Sequence, residues 1–410
     1  MKVCIICFDY KKASIRLQPW RYINEISKGM ASKEIDVEII TDGYPALPKT
    51  EVIDGITVHR LRRLTSLPFR KNDDLIKLIN KSCPDIILWT MGPTSFYFLP
   101  SIKRINIPIL CLWMVSKYSL RHIMRLGFGE IRRNFQSIYF HGINSIIPSG
   151  FVRHILSNSK IFKVIVLNQN NRNSLQKCGV PPNNISVVPP GIGEFDLKAP
   201  NQNDVGNLKK RLKIKENDFI VMYIGSPLSL RGVDTLINGV SIASKDIPSL
   251  KLIILSRRRK NELVKDERYA IQLSTDRNID ERIQVISAFL SKDEIKGYIG
   301  ISDVVALPFK LVQSDTPISI LEVMALGKPV MSTKLDGIPE LLNDNRGILI
   351  EPNDPQDLAS ALISLSSNDD LRSDIGERAK KFMLTYPSWD QTTENIINII
   401  NEVINNNPNK

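Results

Sequence analysis

The sequence predicts an α/β protein made of two Rossmann-like, doubly wound domains that face a cleft. Three observations lead there. Short apolar runs alternate with helical patterns along the chain, as in parallel strands covered by helices. The rhythm stops in a segment rich in Pro, Gly, Asn and Asp, residues 189–207, and then restarts. The length of 410 residues suits two or three domains, with room for more than one core.

The elements follow in order. VCIICF, INEISKGMASKEI and VEIIT form a strand–helix–strand unit, and DIILWT, IPILCLWMV, KVIVLN and ISVVP are further strands. Together they make an expected first domain over residues 1–190. After the linker at 189–207, DFIVMYIG, KLIILS, IQVIS, DVVALP, KPVMST and GILIE supply the strands of a second domain over 205–387. Ile396, Ile397, Ile399, Ile400 and Ile404 recur at near-helical spacing, so a last helix, 388–406, has one face to bury.

Composition narrows the class. Hydrophobic residues are 42% and charged residues 24%, which excludes a disordered chain, a collagen and a coiled coil. The uncharged stretch 86–102 is broken by Gly92-Pro93 and Pro100, so it reads as strand, turn and helix start rather than a membrane span. The N-terminal run meets Asp9 early and lacks a small-residue cleavage site, so it reads as a strand. Five cysteines are few and odd in number, and Cys4, Cys83 and Cys111 lie in or beside apolar runs. Buried thiols in a reducing cytoplasm are therefore expected. Cys4 and Cys7 form a C-x-x-C, but on a strand that odd spacing sends them to opposite faces, against a shared metal or a disulfide.

Charge is uneven. Residues 1–200 hold 28 Lys+Arg against 14 Asp+Glu, whereas residues 201–410 hold 27 against 29. Residues 101–150 carry seven bases and one acid, Glu130. The first half thus expects an anionic partner: nucleic acid, a membrane surface or a phosphorylated substrate.

Ligands of open parallel sheets bind where loops leave the carboxyl ends of strands. The most informative such place is Ser314-Asp-Thr-Pro-Ile-Ser-Ile-Leu-Glu322-Val-Met-Ala-Leu-Gly-Lys-Pro-Val330. Thr316 suits an N-cap and Pro317 the first turn, with Gly327 and Pro329 closing the helix. The helix is apolar apart from Ser319 and Glu322. Its N-terminus, at Ile318 and Ser319, offers N–H groups and a positive dipole end to an anion such as a diphosphate. Glu322 needs a partner, either the cis-diol of a sugar or a core Arg or Lys.

These residues resemble the nucleotide-sugar-dependent glycosyltransferases of family 4, which have the GT-B fold. LEVMALGKPVMST matches the second half of the family's Glu-x7-Glu segment, and Asp336-Gly-Ile-Pro-Glu340 its Gly-Gly-Ile-Pro-Glu. Further likenesses are Gly347–Ala359, the interdomain crossing Asn183–Ile192, Gly225…Arg231-Gly-Val-Asp-Thr-Leu236, and Tyr386-Pro-Ser-Trp-Asp390. The resemblance implies that Glu322 binds the donor ribose. The family's first Glu falls on Ser314, with Asp315 beside it as the candidate sugar contact and Thr316 in the loop that follows. It implies a phosphate role for Arg231, with Ser226 standing where the family has Arg. Arg257, opening the run Arg257-Arg-Arg-Lys260, reads either as a compensating cation or as part of a solvated patch. The last helix is expected to pack back on the first domain.

The family's Gly-Gly after the first strand falls on Leu17-Gln18. The loop offers Arg16, Gln18 and Trp20 instead, with Trp20 either stacking on a sugar or filling the helix-start core. The family's His after the fourth strand is replaced by Met114 or Val115, and His122 is the nearest histidine. In 117–141, Lys117, Arg121, Arg125, Arg132 and Arg133 interleave with Leu120, Ile123, Met124, Leu126, Phe128, Ile131 and Phe135. This reads as a face for an anionic membrane or as an ordinary amphipathic surface helix.

Asp-x-Asp, H-E-x-x-H, Walker and GxGxxG motifs are absent from the sequence. The expectation is a retaining, metal-independent glycosyltransferase with no cofactor. Its donor would be a nucleotide diphosphate sugar and its acceptor a cell-envelope glycan or lipid-linked sugar. It would be cytoplasmic and peripheral on the inner face of the plasma membrane. The rival classes are a degenerate nucleotide-sugar binder and a nucleic-acid-binding protein. The basic stretch carries no RNA-binding signature, which counts against the latter.

Overall fold

The computed structural model describes residues 1–15, 17–64, 71–158, 160–257, 265–288, 290–312 and 316–406. The chain forms two sheets. The first runs in the order β3-β4-β2-β1-β5-β6-β7-β8. Its strands are β1 Lys2–Ile6, β2 Asp36–Asp42, β3 Thr50–Ile53, β4 Ile56–Leu61, β5 Ile86–Met91, β6 Ile109–Trp113, β7 Ile161–Val166 and β8 Ile185–Val187. All neighbours pair parallel except β3, which is antiparallel to β4. The second sheet is wholly parallel, in the order β11-β10-β9-β12-β13-β14. It contains β9 Phe219–Ile224, β10 Leu250–Arg257, β11 Ile283–Ala288, β12 Val304–Leu307, β13 Val330–Thr333 and β14 Ile348–Ile350.

Central strands are apolar on both faces because helices cover both sides. Every residue of β6 and of β9 is buried. Strand order reverses between β1 and β5 and again between β9 and β12. Each reversal opens a crevice at the carboxyl ends, where a ligand fits. At the second crevice the chain turns on Gly232, at φ +78, where an added Cβ would lie 1.7 Å from the Pro308 carbonyl oxygen. Only glycine permits that approach.

Cys4 and Cys7 fall in separate cores on opposite faces of the first sheet, as their spacing implies. Cys111 is buried too, and burial pushes all three thiols well above the usual range. Cys83 departs from expectation. It is exposed, because it ends the helix Asp73–Ser82 in the left-handed conformation, which turns the chain outward.

Two crossings join the domains side by side. Ile192 bridges Ser388, and a Cβ on Gly191 would meet the Trp389 nitrogen at 2.3 Å. The helix Trp389–Asn405 starts on a Ser388/Gln391 capping box and lies against the first helix, Trp20–Ala31. Its Ile396, Ile399, Ile400 and Val403 share a core with β1, β2 and β5. At Gly29 the two helices are so close that a Cβ would meet Thr393 Oγ1 at 2.4 Å.

Candidate active site

The loops at the carboxyl ends of both sheets meet across the domain boundary. Arg21, in the first turn of Trp20–Ala31, places Nη1 2.7 Å from Glu322 Oε1 and Nη2 3.7 Å from Asp196 Oδ2. Glu322 lies one turn into the helix Ile318–Ala325, whose other side packs into the second core. Both side chains are largely buried, at 9% and 15% exposure. Partnering with Glu322 outweighs the cost of burying Arg21 and holds its guanidinium above its ordinary pKa.

Thr316 is buried and its hydroxyl makes no hydrogen bond among the described residues. It does not cap the helix as expected. The chain enters through Pro317 at φ −67 and ψ 110, and the helix begins at Ile318. Ser319 is half-buried on the same side as Glu322, three residues away. Gln18 lies just before Arg21, and both of its buried amide atoms are without partners among the described residues. Orphaned buried polar atoms are rare in folded proteins. Here they sit in the segments that lead into the two helices joined by the Arg21–Glu322 pair.

Arg231 follows the crevice beside β9. Its Nη1 lies over Gly225, where a Cβ would come within 2.7 Å, and it makes no ion pair among the described residues. It stands directly before Gly232 and the helix Val233–Ala243, so its cation adds to the positive end of that helix. Ser226 directs its carbonyl to the Tyr223 hydroxyl at 2.8 Å. Trp20 donates from Nε1 to the Phe8 carbonyl at 2.7 Å and packs on the first-domain core, the arrangement of a helix-start core residue. Arg16, Ser314 and Asp315 lie outside the described residues, as does the side chain of Arg257.

The 117–141 segment departs most from expectation. Tyr118, Ile123, Leu126 and Ile138 belong to the core of the second domain, across the cleft. His122 is part-buried and held within the fold. Its Nε2 sits 2.9 Å from the Lys310 carbonyl oxygen, and its ring stacks on Tyr118. Lys310 is itself buried and bonds both Glu130 Oε2 at 2.8 Å and Asp234 Oδ2 at 2.6 Å. Lys117 is tied to the Ile147 carbonyl at 2.7 Å and leaves the basic set. Arg133 lies over the Tyr269 ring at 4.6 Å and pairs with Glu130 at 4.0 Å, so what remains outward is Arg121, Arg125 and Arg132 with Met124, Phe128 and Phe135, the last three 67%, 81% and 61% exposed.

The sequence reading missed Arg21, Lys310, Tyr118 and Asp336. The Tyr118 hydroxyl accepts from the Val312 N–H at 2.7 Å and donates to Asp336 Oδ2. Asp336 stands in the loop after β13, and Glu340, in the helix Ile338–Leu342 that follows, accepts from the Gln169 and Asn170 N–H groups at 2.9 and 2.6 Å. One signal was available: Lys310 is a lone charge inside the apolar run VVALPFKLV. Among the described residues no cluster of His, Cys, Asp and Glu is arranged to hold a metal, and no helix is long and apolar enough to cross a membrane.

Comparison with known proteins agrees with this architecture. The family model "Glycosyl transferases group 1" matches residues 204–382, and "Glycosyltransferase Family 4" matches residues 20–193. An uncharacterised glycosyltransferase of Methanocaldococcus jannaschii is 23% identical over 91% of both chains. The lipopolysaccharide 1,2-N-acetylglucosaminetransferase of Salmonella typhimurium is 24% identical over 51% of this chain and 54% of its own length. Among solved structures, Anabaena HepE in complex with UDP and glucose superposes with a TM-score of 0.70 at 16% identity, covering 98% of this chain and 100% of that one. With a family model on each half and the two-sheet architecture of those structures, the chain belongs to the family 4-like glycosyltransferases of the GT-B fold.

Proposed function

We propose that this glycosyltransferase moves a sugar from a nucleotide diphosphate sugar to a cell-envelope glycan or lipid-linked acceptor, with retention at the anomeric carbon and no resident divalent metal. The observation that carries the reading is Glu322, the one carboxylate of a helix otherwise apolar but for Ser319, paired across the domain boundary with Arg21 and set one turn behind an N-terminus that follows Thr316, whose buried hydroxyl is unpartnered among the described residues. A ribose diol satisfies such a carboxylate through two charge-assisted hydrogen bonds. The diphosphate then lies toward the N–H groups of Ile318 and Ser319, with Arg231 and the start of Val233–Ala243 opposite. Asp315 is the expected sugar contact.

In this arrangement the protein contributes charge stabilisation of the leaving diphosphate and positioning of the acceptor hydroxyl. A donor phosphate oxygen takes the acceptor proton, so the missing histidine after β6 is tolerable. The acceptor side is supported by the exposed arginines of 117–141 with exposed Met124, Phe128 and Phe135, a composition suited to anionic lipid on the cytoplasmic side of a membrane. The complex of HepE with UDP and glucose and the lipopolysaccharide relative point the same way.

The test is donor turnover. Incubation with UDP-, GDP- and ADP-sugars should release a nucleoside diphosphate slowly from one of them, faster with an envelope extract as acceptor. Binding without any turnover would contradict the transferase reading.

A further inference from the structure

We infer that Arg21 is a latch on the donor site: it holds Glu322 while the site is empty and passes to Asp196 when a ribose takes that carboxylate. The inference rests on the nucleotide-sugar reading and adds to it a residue that controls donor entry.

The geometry sets the conflict. Arg21 lies in the first turn of Trp20–Ala31, the helix that follows β1, so it stands at the carboxyl end of the first sheet. Glu322 belongs to the second domain. The guanidinium therefore reaches Glu322 across the boundary where the carboxyl ends of both sheets meet, which is the side a donor enters. Its Nη1 lies 2.7 Å from Oε1, the length of a charge-assisted hydrogen bond. A ribose diol that donates to the same carboxylate from that side meets Arg21 first.

Displacement needs a destination. Both side chains are largely buried, and a buried guanidinium stripped of its carboxylate is strongly unfavourable. Asp196 supplies the second partner. Its Oδ2 lies 3.7 Å from Nη2 of the same guanidinium, within ion-pair range but too far for a hydrogen bond. Closing that gap to about 2.8 Å asks for a shift of only about 1 Å. Asp196 and Glu322 are also neighbours, sharing with Lys292 and Lys296 the wall of a cavity of about 20 Å³. The transfer is thus a small swing of one side chain.

Asp196 is well placed to receive it. It follows the crossing at Gly191 and Ile192, in the short helix Glu194–Leu197, where its Oδ2 accepts from the Gly193 N–H at 3.1 Å. That segment is moored to the second domain, because Lys296 donates to the Phe195 carbonyl at 2.7 Å. Glu25, one turn along the first helix, is the weakest of the three carboxylates acting on Arg21. Passing from Glu322 to Asp196 frees the donor helix from the first domain and keeps the domains tied beside their crossing.

Isothermal titration of the full-length protein tests this with UDP, GDP and ADP, taking whichever binds wild type most tightly. Arg21→Met has no contact to break, so it should bind the diphosphate at least threefold more tightly. Asp196→Asn keeps the Gly193 bond through its amide oxygen but offers the guanidinium no charge, so it should bind at least threefold more weakly. Added to Arg21→Met, the same Asp196→Asn change should have no effect beyond twofold, whereas general damage to the crossing would persist. Arg21→Gln, which keeps a polar head without the charge, replaces Arg21→Met should that protein not fold. The inference falls if either single change is smaller than threefold or opposite in sign. It falls equally if Asp196→Asn weakens binding as much without Arg21 as with it. If wild type binds none of the three diphosphates, or if Glu322→Gln binds them as wild type does, the nucleotide-sugar reading fails and this inference with it.

Discussion

Arg21 and Glu322 are 301 residues apart in sequence and 2.7 Å apart in space, and their bond ties the first domain to the helix assigned to the donor. The pair gives Glu322 a partner in the absence of ligand. It also puts a cation beside the carboxylate expected to take the ribose hydroxyls, so donor binding must share or displace it.

Arg21→Met should therefore loosen the domain boundary. Removing one partner of a largely buried pair leaves a charge uncompensated and costs about 3 kcal/mol. Urea denaturation should show a loss of that order, and small-angle scattering a larger radius of gyration for the ligand-free variant. Unchanged stability and dimensions would mean that the pair does not hold the domains.

Asp336 should weaken the fold as it ionises. Its carboxyl is raised to about 6 by burial, against the hydrogen bonds from Tyr118 and Ser116, so in the acid range the native state holds a proton that the unfolded chain has released. Native stability then falls as pH rises from about 4 to about 6 and stays reduced above that. Asp336→Asn avoids this cost. Its advantage over wild type should be near zero at pH 4 and reach about 1–2 kcal/mol at pH 8, allowing for partial exposure. His141, held down to about 4 by burial, is common to both proteins and cancels in the difference. A pH-independent difference would contradict the assignment.

Turnover should survive excess chelator. The sequence contains no Asp-x-Asp beside the phosphate loops, and arginine with helix termini is proposed for the charge work. Complete loss of turnover with EDTA, restored by Mg²⁺ or Mn²⁺, would overturn this.

The outward face of 117–141 should bind anionic vesicles reversibly. Each base near such a surface is worth about 1 kcal/mol, and the attraction weakens with salt as exposed charges are screened beyond about 8 Å. Co-sedimentation with phosphatidylglycerol vesicles should fall when Arg121, Arg125 and Arg132 are changed together to Ser, and again when Phe128 and Phe135 are. Equal binding by the variants, or no binding by wild type at low salt, would remove the membrane from the account.

The two-sheet architecture was legible because it rests on local signals. Apolar runs such as DFIVMYIG are strands buried on both faces, and Gly232 and Gly327 punctuate the helices where expected. The partners of the site were not legible, because they are set by contacts between distant segments. Nothing near Glu322 in sequence names Arg21. The 117–141 segment shows why periodicity alone misleads: its apolar residues form two faces, and only packing reveals that Ile123 and Leu126 close on the second domain while Met124 and Phe128 face outward. Tyr118 and Asp336, which bond each other, are 218 residues apart in sequence, so nothing local links them.

The measurement that bears most directly on the central claim is calorimetry of nucleoside diphosphate binding to Glu322→Gln. The variant keeps the shape of the side chain but gives up charge-assisted bonding to the ribose, so affinity should fall by about 1.5–3 kcal/mol, roughly 10- to 150-fold. A folded Glu322→Gln protein that binds the diphosphate as tightly as wild type would show that Glu322 serves only Arg21 and that the donor lies elsewhere.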